Sequence, residues 1–146
     1  MSITLNKYLK DSGYVSIKLN FLKTKHYSLE ADINGINGRF ILDTGASNSC
    51  ICYSLENNFN IISKETIEKA SSATSEINNT KISKNNTIQI GKWKNKINLI
   101  TFDLCYINQA LNEKKIDSVS GIIGADILKK SKAILDYKSN KLYLKL

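Results

Sequence analysis

A carboxylate on a predicted tight turn is the first feature of this chain that could do chemistry. Asp43 follows the apolar residues 40–42 and precedes Thr44 and Gly45. The apolar residues predict a buried strand that carries the acid out of the core, and the glycine permits a tight turn directly after it. A general acid–base carboxylate needs this combination of a rigid element and nearby backbone N–H groups. An ordinary Asx-turn at a strand end has the same residues, so this segment alone leaves both interpretations open.

A second segment marked by glycines lies far downstream. Gly121 and Gly124 bracket the apolar pair Ile122 and Ile123, and residues 125–130 follow with a composition that favours a short helix. Taken by itself, the segment predicts a buried strand that ends in a glycine turn.

Together, the two segments resemble the paired signature of the retropepsins, the retroviral-type aspartic proteases, and in particular their bacterial group. In that family an apolar strand runs into Asp-Thr-Gly-Ala/Ser. A later strand of two apolar residues and a glycine, followed by a short helix, supports this loop in a ψ-shaped arrangement. The resemblance implies a catalytic Asp43 and an active-site loop and support formed by Thr44, Gly45, Ala46, Ile122, Ile123 and Gly124.

The number of aspartates in such a motif indicates whether one chain can form a complete active site. Aspartic proteases use two carboxylates that share a proton across a water molecule, and two carboxylates so close together cannot both ionise. Asp11-Ser12-Gly13 is the one other triplet of this type, but its upstream flank is not a purely apolar strand and it lies near the terminus. The second carboxylate is therefore expected from Asp43 of an identical chain across a two-fold axis.

The resemblance also implies how the dimer is held and how substrate is covered. It assigns Thr44 hydrogen bonds between the two loops and Gly45 a position against the substrate backbone. Residues 142–146 are a candidate for a sheet shared between subunits, although they could pair only within their own subunit. By position, the flap over the substrate would contain Ala70, Ser71, Ser72, Ala73, Thr74 and Ser75.

The flap is where the chain departs from the family pattern. No glycine lies between Gly45 and Gly91, so a hairpin tip there would reach positive φ less readily. Two functions stay open for this reason. The first is an active homodimeric aspartic endopeptidase, and the alternative is a catalytically weak or inactive retropepsin-fold module for peptide binding or dimerisation.

Ala46 bears on the expected pH dependence. Many pepsin-like enzymes have serine at this position, and its hydroxyl stabilises the ionised carboxylate. Alanine lacks that donor, so we expect an activity optimum between weakly acidic and neutral pH.

The elements that must position these residues are mostly strands. Alternating or apolar runs predict strands over residues 15–19, 27–33, 40–42, 81–90, 97–104, 134–137 and 142–144, and helices are predicted over residues 108–115 and 125–130. Asn34-Gly35 predicts a turn, and residues 36–38 are predicted to form the rest of a tight hairpin. We therefore predict a mainly β, single-domain retropepsin-like acid protease fold: a closed ψ-loop barrel with one or two short helices, over residues 1–146, with residues 1–13 as an N-terminal extension.

Composition excludes several other classes. The net charge of +8 is spread over scattered lysines with Arg39 as the single arginine, so we expect a solvated lysine surface and no nucleic-acid partner. A basic β-domain associated with DNA or RNA is a weaker alternative. No apolar run approaches the roughly 20 residues that span a bilayer, and residues 1–10 lack the apolar core of a signal peptide, so we expect no membrane partner and a cytoplasmic location. The expected partners are a second copy of the chain and a protein or peptide substrate.

The remaining reactive residues have structural interpretations. His26 is the only histidine and has no nucleophile motif beside it, so we expect an exposed loop or strand residue. Trp93 is expected to be half-buried at a strand edge. The three cysteines are expected to be reduced, buried thiols, and one histidine leaves no zinc ligand set, so no metal or cofactor is expected. Asp126 is expected to cap or bridge near the dimer edge.

Overall fold

The computed structural model describes residues 2–65, 80–103 and 105–146, without the side chains of residues 65, 105 and 106. The helices are α1 (Leu5–Asp11), α2 (Cys105–Glu113) and α3 (Ala125–Lys130), with a 3₁₀ turn at Tyr53–Leu55. The strands are β1 (Tyr14–Lys18), β2 (Asn20–Phe21), β3 (Tyr27–Ile33), β4 (Ile36–Leu42), β5 (Cys50–Cys52), β6 (Lys64–Glu65), β7 (Lys81–Ile90), β8 (Trp93–Phe102), β9 (Gly121–Ile123), β10 (Ile134–Asp136) and β11 (Lys141–Lys145).

Most strands belong to one barrel. The larger sheet has the order β2-β3-β4-β9-β5-β8-β7-β6, and a further pairing of β3 with β7 closes its six central strands into a ring. The ring encloses the main apolar cluster, in which Leu29, Ile33, Ile51, Ile88 and Ile90 are fully buried. The predicted mainly β, closed-barrel fold is confirmed.

The hairpin that leads to Asp43 follows from its sequence. Asn34 and Gly35 have φ angles of 51° and 83°, the left-handed pair that a two-residue turn between twisted strands requires. The Asn34 side chain also donates to the Phe59 carbonyl and accepts from the Thr87 N–H, both at 2.9 Å. The turn therefore fixes the register of β3 and β4 and ties their tip to β7.

Strand β9 lies between β4 and β5, the strands that precede and follow the Asp43 loop. It runs parallel to β4, with Leu42 opposite Ile123, and antiparallel to β5. A Cβ atom on Gly121 would lie 2.0 Å from the Cys50 carbonyl oxygen, so only glycine allows β5 to approach this closely. This is the ψ-shaped support that the two sequence segments imply.

A separate three-stranded sheet of order β1-β11-β10 carries the C-terminus. Helix α1 covers one face of it, where the buried Tyr143 donates to Asn6 Oδ1 at 3.2 Å and Leu9 is buried. Strand β11 has a partner on both sides. Residues 142–146 therefore pair within their own chain, which is the alternative that the sequence left open. Beyond β11, the outer strand of this sheet is β10.

Several local predictions need correction. The N-terminal extension contains α1, which the sequence did not indicate. Residues 36–38 do continue the predicted hairpin, as the first residues of β4. Strand β8 begins at Trp93, which is only 4% exposed and belongs to the core cluster, so the prediction of a half-buried edge residue is wrong. The predicted flap, residues 70–75, lies outside the described residues. In the described part of the chain, no helix has the length and apolar character to cross a bilayer.

Candidate active site

Asp43 stands at the end of β4 with its side chain exposed. Its backbone N–H continues the β4–β9 ladder by donating to the Ile123 carbonyl at 3.0 Å. The Gly45 N–H donates to Asp43 Oδ1 at 2.9 Å, and the Ala46 N–H donates to the Asp43 carbonyl at 3.1 Å. A rigid strand and a tight turn therefore fix both the backbone and one oxygen of the carboxylate.

The loop rests on the start of α3. A Cβ on Gly124 would lie 2.5 Å from the Ala46 carbonyl oxygen, so glycine is required for this contact. The Ala125 N–H donates to the same carbonyl at 2.7 Å. The glycine that ends the second sequence segment thus lets α3 support the turn after Asp43.

A carboxylate from α3 holds the far end of the loop. Asp126 accepts from the Ser49 N–H through Oδ2 at 2.9 Å and from the Ser49 hydroxyl through Oδ1 at 2.6 Å. The Ser49 hydroxyl accepts in turn from the Gly124 N–H at 2.8 Å, and the Ile127 N–H also donates to Oδ1 at 2.8 Å. Asp126 was predicted to cap or bridge, and it bridges α3 to the active-site loop. Its partner there is Ser49, which the sequence did not indicate.

A small cavity of about 170 Å³ adjoins Asp43. Five apolar residues from β4, β9 and α2 form most of its wall, namely Ile41, Ile107, Ala110, Leu111 and Ile122, and the loop before β3 adds Thr24 and His26. The Asn108 side chain anchors α2 to Val119, accepting from its N–H at 2.8 Å and donating to its carbonyl at 3.2 Å. The cavity can therefore enclose an apolar group next to the carboxylate.

The opposite face of α2 lines a larger and more open groove, of about 960 Å³. Its residues are Cys52, Tyr53, Ser54, Asp103, Asn108, Gln109, Asn112 and Glu113. Asp43 does not line this groove, so its size alone does not make it the reactive site.

The other predicted site residues have the following positions. Thr44 is exposed beside Asp43, and Ile123 is buried in the core at 1% exposure. Asp11 lies at the end of α1 and pairs with Lys7 at 3.0 Å, so the second Asp-Ser-Gly triplet is a helix terminus. His26 is exposed, as expected, but it also lines the cavity at Asp43, which no sequence motif indicated.

Two thiols of the described residues lie close to the active-site loop in sequence. Cys50 and Cys52 are free and buried. Burial, followed by the nearby carboxylates of Asp126 and Asp43, raises the pKa of Cys50 to about 12, so it is a neutral thiol at physiological pH. Among residues 2–65, 80–103 and 105–146, no three His, Cys, Asp or Glu side chains are grouped to hold a metal ion.

Comparisons with solved structures identify the fold. A retropepsin-like aspartic protease from Rickettsia conorii matches with a TM-score of 0.62 at 21% identity, over 90% of this chain and 89% of that one. The EIAV protease, solved with the inhibitor HBY-793, matches with a TM-score of 0.58 at 18% identity, over 80% and 98%. The retroviral protease-like domain of Ddi1 from Leishmania major matches with a TM-score of 0.53 at 14% identity, over 80% and 86%.

Sequence comparison gives the family. No curated protein sequence matches the chain significantly. Residues 29–127, which include both glycine-marked segments, match the model of the aspartyl protease family. The chain therefore belongs to the aspartyl protease family, and it has the retropepsin-like fold.

Proposed function

We propose that the chain is an aspartic endopeptidase that works as a homodimer, with Asp43 of each subunit facing a shared water molecule. One carboxylate, ionised, would take a proton from the water as the water attacks the scissile carbonyl. The other, protonated, would donate to the carbonyl oxygen. The observation that carries the proposal is a single exposed carboxylate on a braced loop, in a chain of the aspartyl protease family.

The surroundings of Asp43 suit this role. In the described part of the chain, the Gly45 N–H is the one hydrogen-bond donor to the carboxylate, and it reaches Oδ1 only. A fixed Oδ1 sets the plane of the carboxyl group, while Oδ2 stays free to bind water or a second carboxyl group. General acid–base catalysis needs both a fixed orientation and an accessible oxygen.

Strand β10 is a suitable dimer edge. It pairs with β11 through residues 134–136, and no other described strand lies against it. An unpaired strand edge favours pairing with another chain, and a two-fold axis would join two β10 strands antiparallel. The shared sheet would then have the order β1-β11-β10-β10-β11-β1, with the single-domain unit of residues 1–146 on each side.

The substrate is expected to be a peptide or an extended protein segment. The cavity beside Asp43 is mostly apolar, which suits a side chain adjacent to the scissile bond. The EIAV protease, which has a similar fold, was solved in complex with an inhibitor.

A mixing experiment tests catalysis and dimerisation together. A peptide library digested by the wild-type protein identifies a cleaved sequence, and Asp43→Asn is expected to abolish its cleavage. Asp43→Asn protein is then added to a constant amount of wild type under conditions of subunit exchange. If each site needs Asp43 from both chains, an equal amount of the variant should lower the wild-type activity by about half, because mixed dimers are inactive.

The control is Asp117→Asn, since the Asp117 side chain is 91% exposed and lies outside the site. Added in the same amount, this variant should not inhibit. Activity that survives Asp43→Asn, or that is insensitive to the added variant, would contradict the proposal. Tight peptide binding without cleavage by the wild type would favour the alternative of a catalytically inactive binding module.

A further inference from the structure

Thr24 is an unusual member of the cavity wall. Its Oγ1 is shielded from solvent and has no hydrogen-bond partner among the described residues. Leaving a buried hydroxyl unpaired destabilises a protein, so such groups call for a physical explanation. Ser28 and Thr101 are also buried with unpaired hydroxyls, but neither lines the cavity beside Asp43.

The position of Thr24 suggests what its partner would be. The rest of the wall is largely aliphatic, from Ile41, Ile107, Leu111 and Ile122. Rotation about χ1 exchanges the methyl and hydroxyl groups of a threonine within nearly the same space. The hydroxyl of Thr24 can therefore turn toward a polar group that enters the cavity, and can donate to it or accept from it.

We propose that Thr24 is a specificity-determining residue that selects a substrate side chain with an apolar body and a polar tip, and specifically tyrosine over phenylalanine. This inference rests on the proposed peptidase function. Tyrosine offers an aromatic ring to the aliphatic walls and a phenolic hydroxyl to Thr24. A site with a buried polar group discriminates strongly against an analogue that leaves that group unpaired.

The chemical class of the selected side chain follows from the wall as a whole. Serine and threonine carry a hydroxyl but no apolar body to cover the four isoleucine and leucine side chains. Leucine and phenylalanine cover those side chains but leave the Thr24 hydroxyl unpaired. Tyrosine satisfies both requirements, and its hydroxyl can be either donor or acceptor.

Matched peptides test the inference. Starting from a cleaved sequence, each residue that flanks the cleaved bond is set in turn to tyrosine or phenylalanine, and kcat/KM is measured for each pair. At the position that fills the cavity, the wild type is expected to prefer tyrosine by about tenfold. Thr24→Val, which has nearly the same shape without the hydroxyl, should bring this ratio close to one, and Thr24→Ser should keep most of it.

Thr101→Val is the matched control. It also removes a buried, unpaired hydroxyl, but away from the cavity, so the tyrosine preference should be unchanged. A wild-type ratio near one, or a ratio that Thr24→Val does not change, would overturn the inference while leaving the peptidase function intact.

A binding measurement keeps the test independent of turnover. The Asp43→Asn variant is titrated with the same uncleaved peptides, and the dissociation constants are compared for tyrosine and phenylalanine. Tighter binding of the tyrosine peptide, again by about tenfold and lost on adding Thr24→Val, supports the role of Thr24 independently of the rate of cleavage. Equal affinities, or no binding of either peptide, would overturn it.

Discussion

The hydroxyl of Ser49 donates a 2.6 Å hydrogen bond to Asp126 across 77 residues of sequence. Ser49 ends the loop that carries Asp43, and Asp126 lies in the first turn of α3. The bond therefore joins the two segments whose pairing defines the active-site support. The Asp126 carboxylate accepts from three groups, the Ser49 N–H, the Ser49 hydroxyl and the Ile127 N–H, and so bridges the loop to α3.

Asp126→Asn should loosen this support. The amide keeps one acceptor oxygen, but its NH₂ group would face a donor. That donor is the Ser49 N–H on one side, or the Ser49 hydroxyl and the Ile127 N–H on the other. We expect a loss of about 1–3 kcal/mol in the free energy of unfolding, measured by denaturant titration. Asp117→Asn, at an exposed position, should change it by less than about 0.5 kcal/mol. Equal effects of the two variants would show that the Ser49–Asp126 contact does not stabilise the fold.

Two glycines of the site should respond differently to alanine. A Cβ on Gly121 would lie 2.0 Å from a backbone oxygen, whereas a Cβ on Gly45 would meet only Asp43 Oδ1, at 3.3 Å. Gly121→Ala should therefore destabilise the fold by about 3 kcal/mol or more, because backbone has to move. Gly45→Ala should leave stability within about 1 kcal/mol but lower kcat/KM at least about tenfold, because the methyl group crowds the carboxylate. Thermal unfolding and peptide cleavage together separate the two effects, and a stable Gly121→Ala variant would contradict the packing argument.

The elements with strong local signals were predictable from sequence. Strands β3 and β7 and helix α3 have the predicted bounds, because alternation in the strands and helix-forming residues after a glycine are local properties. The Asp43 loop and the β9 strand were also predicted from their own residues, and their packing against each other was predicted from the resemblance to the retropepsins. The residues of each motif therefore predict its own element, whereas the packing of one motif against the other follows from neither alone.

The rest depends on contacts between distant residues. Strand β5 has only three residues, and its burial comes from packing between β8 and β9. Helix α1 is stabilised by covering Tyr143 at the other end of the chain, so its own sequence is a weak signal. No local pattern distinguishes Ser49 from the other serines, because its role depends on its contact with Asp126. The cavity residues Thr24 and Ala110 belong to no sequence motif.

Stability at high pH should depend on Cys50. Its pKa is raised from 9.0 to about 12 in the folded protein, mainly by burial. Since the thiolate is disfavoured only when folded, the stabilisation is complete below the unfolded value of 9.0 and is lost progressively as pH rises toward about 12. Between about pH 7 and about pH 10, the wild type should lose about 1.4 kcal/mol more than Cys50→Ala. The measurement is urea unfolding of both proteins at each pH, and parallel pH slopes would rule out a contribution from this thiol.

Ala46→Ser should shift the activity profile toward acid. Ala46 is partly buried against Gly124, directly after the turn that fixes Asp43, and its side chain offers no hydrogen-bond donor. A serine hydroxyl at this position would favour the ionised carboxylate, so the base form of the pair would persist to lower pH. We therefore expect the acidic limb of the kcat/KM profile to move to lower pH in Ala46→Ser.

Ala110→Ser is the matched control, because it adds the same hydroxyl on the exposed rim of the cavity. Its acidic limb should coincide with that of the wild type. If Ala46→Ser and the wild type have the same acidic limb, the residue after the Asp-Thr-Gly triplet does not set the working pH of this protein.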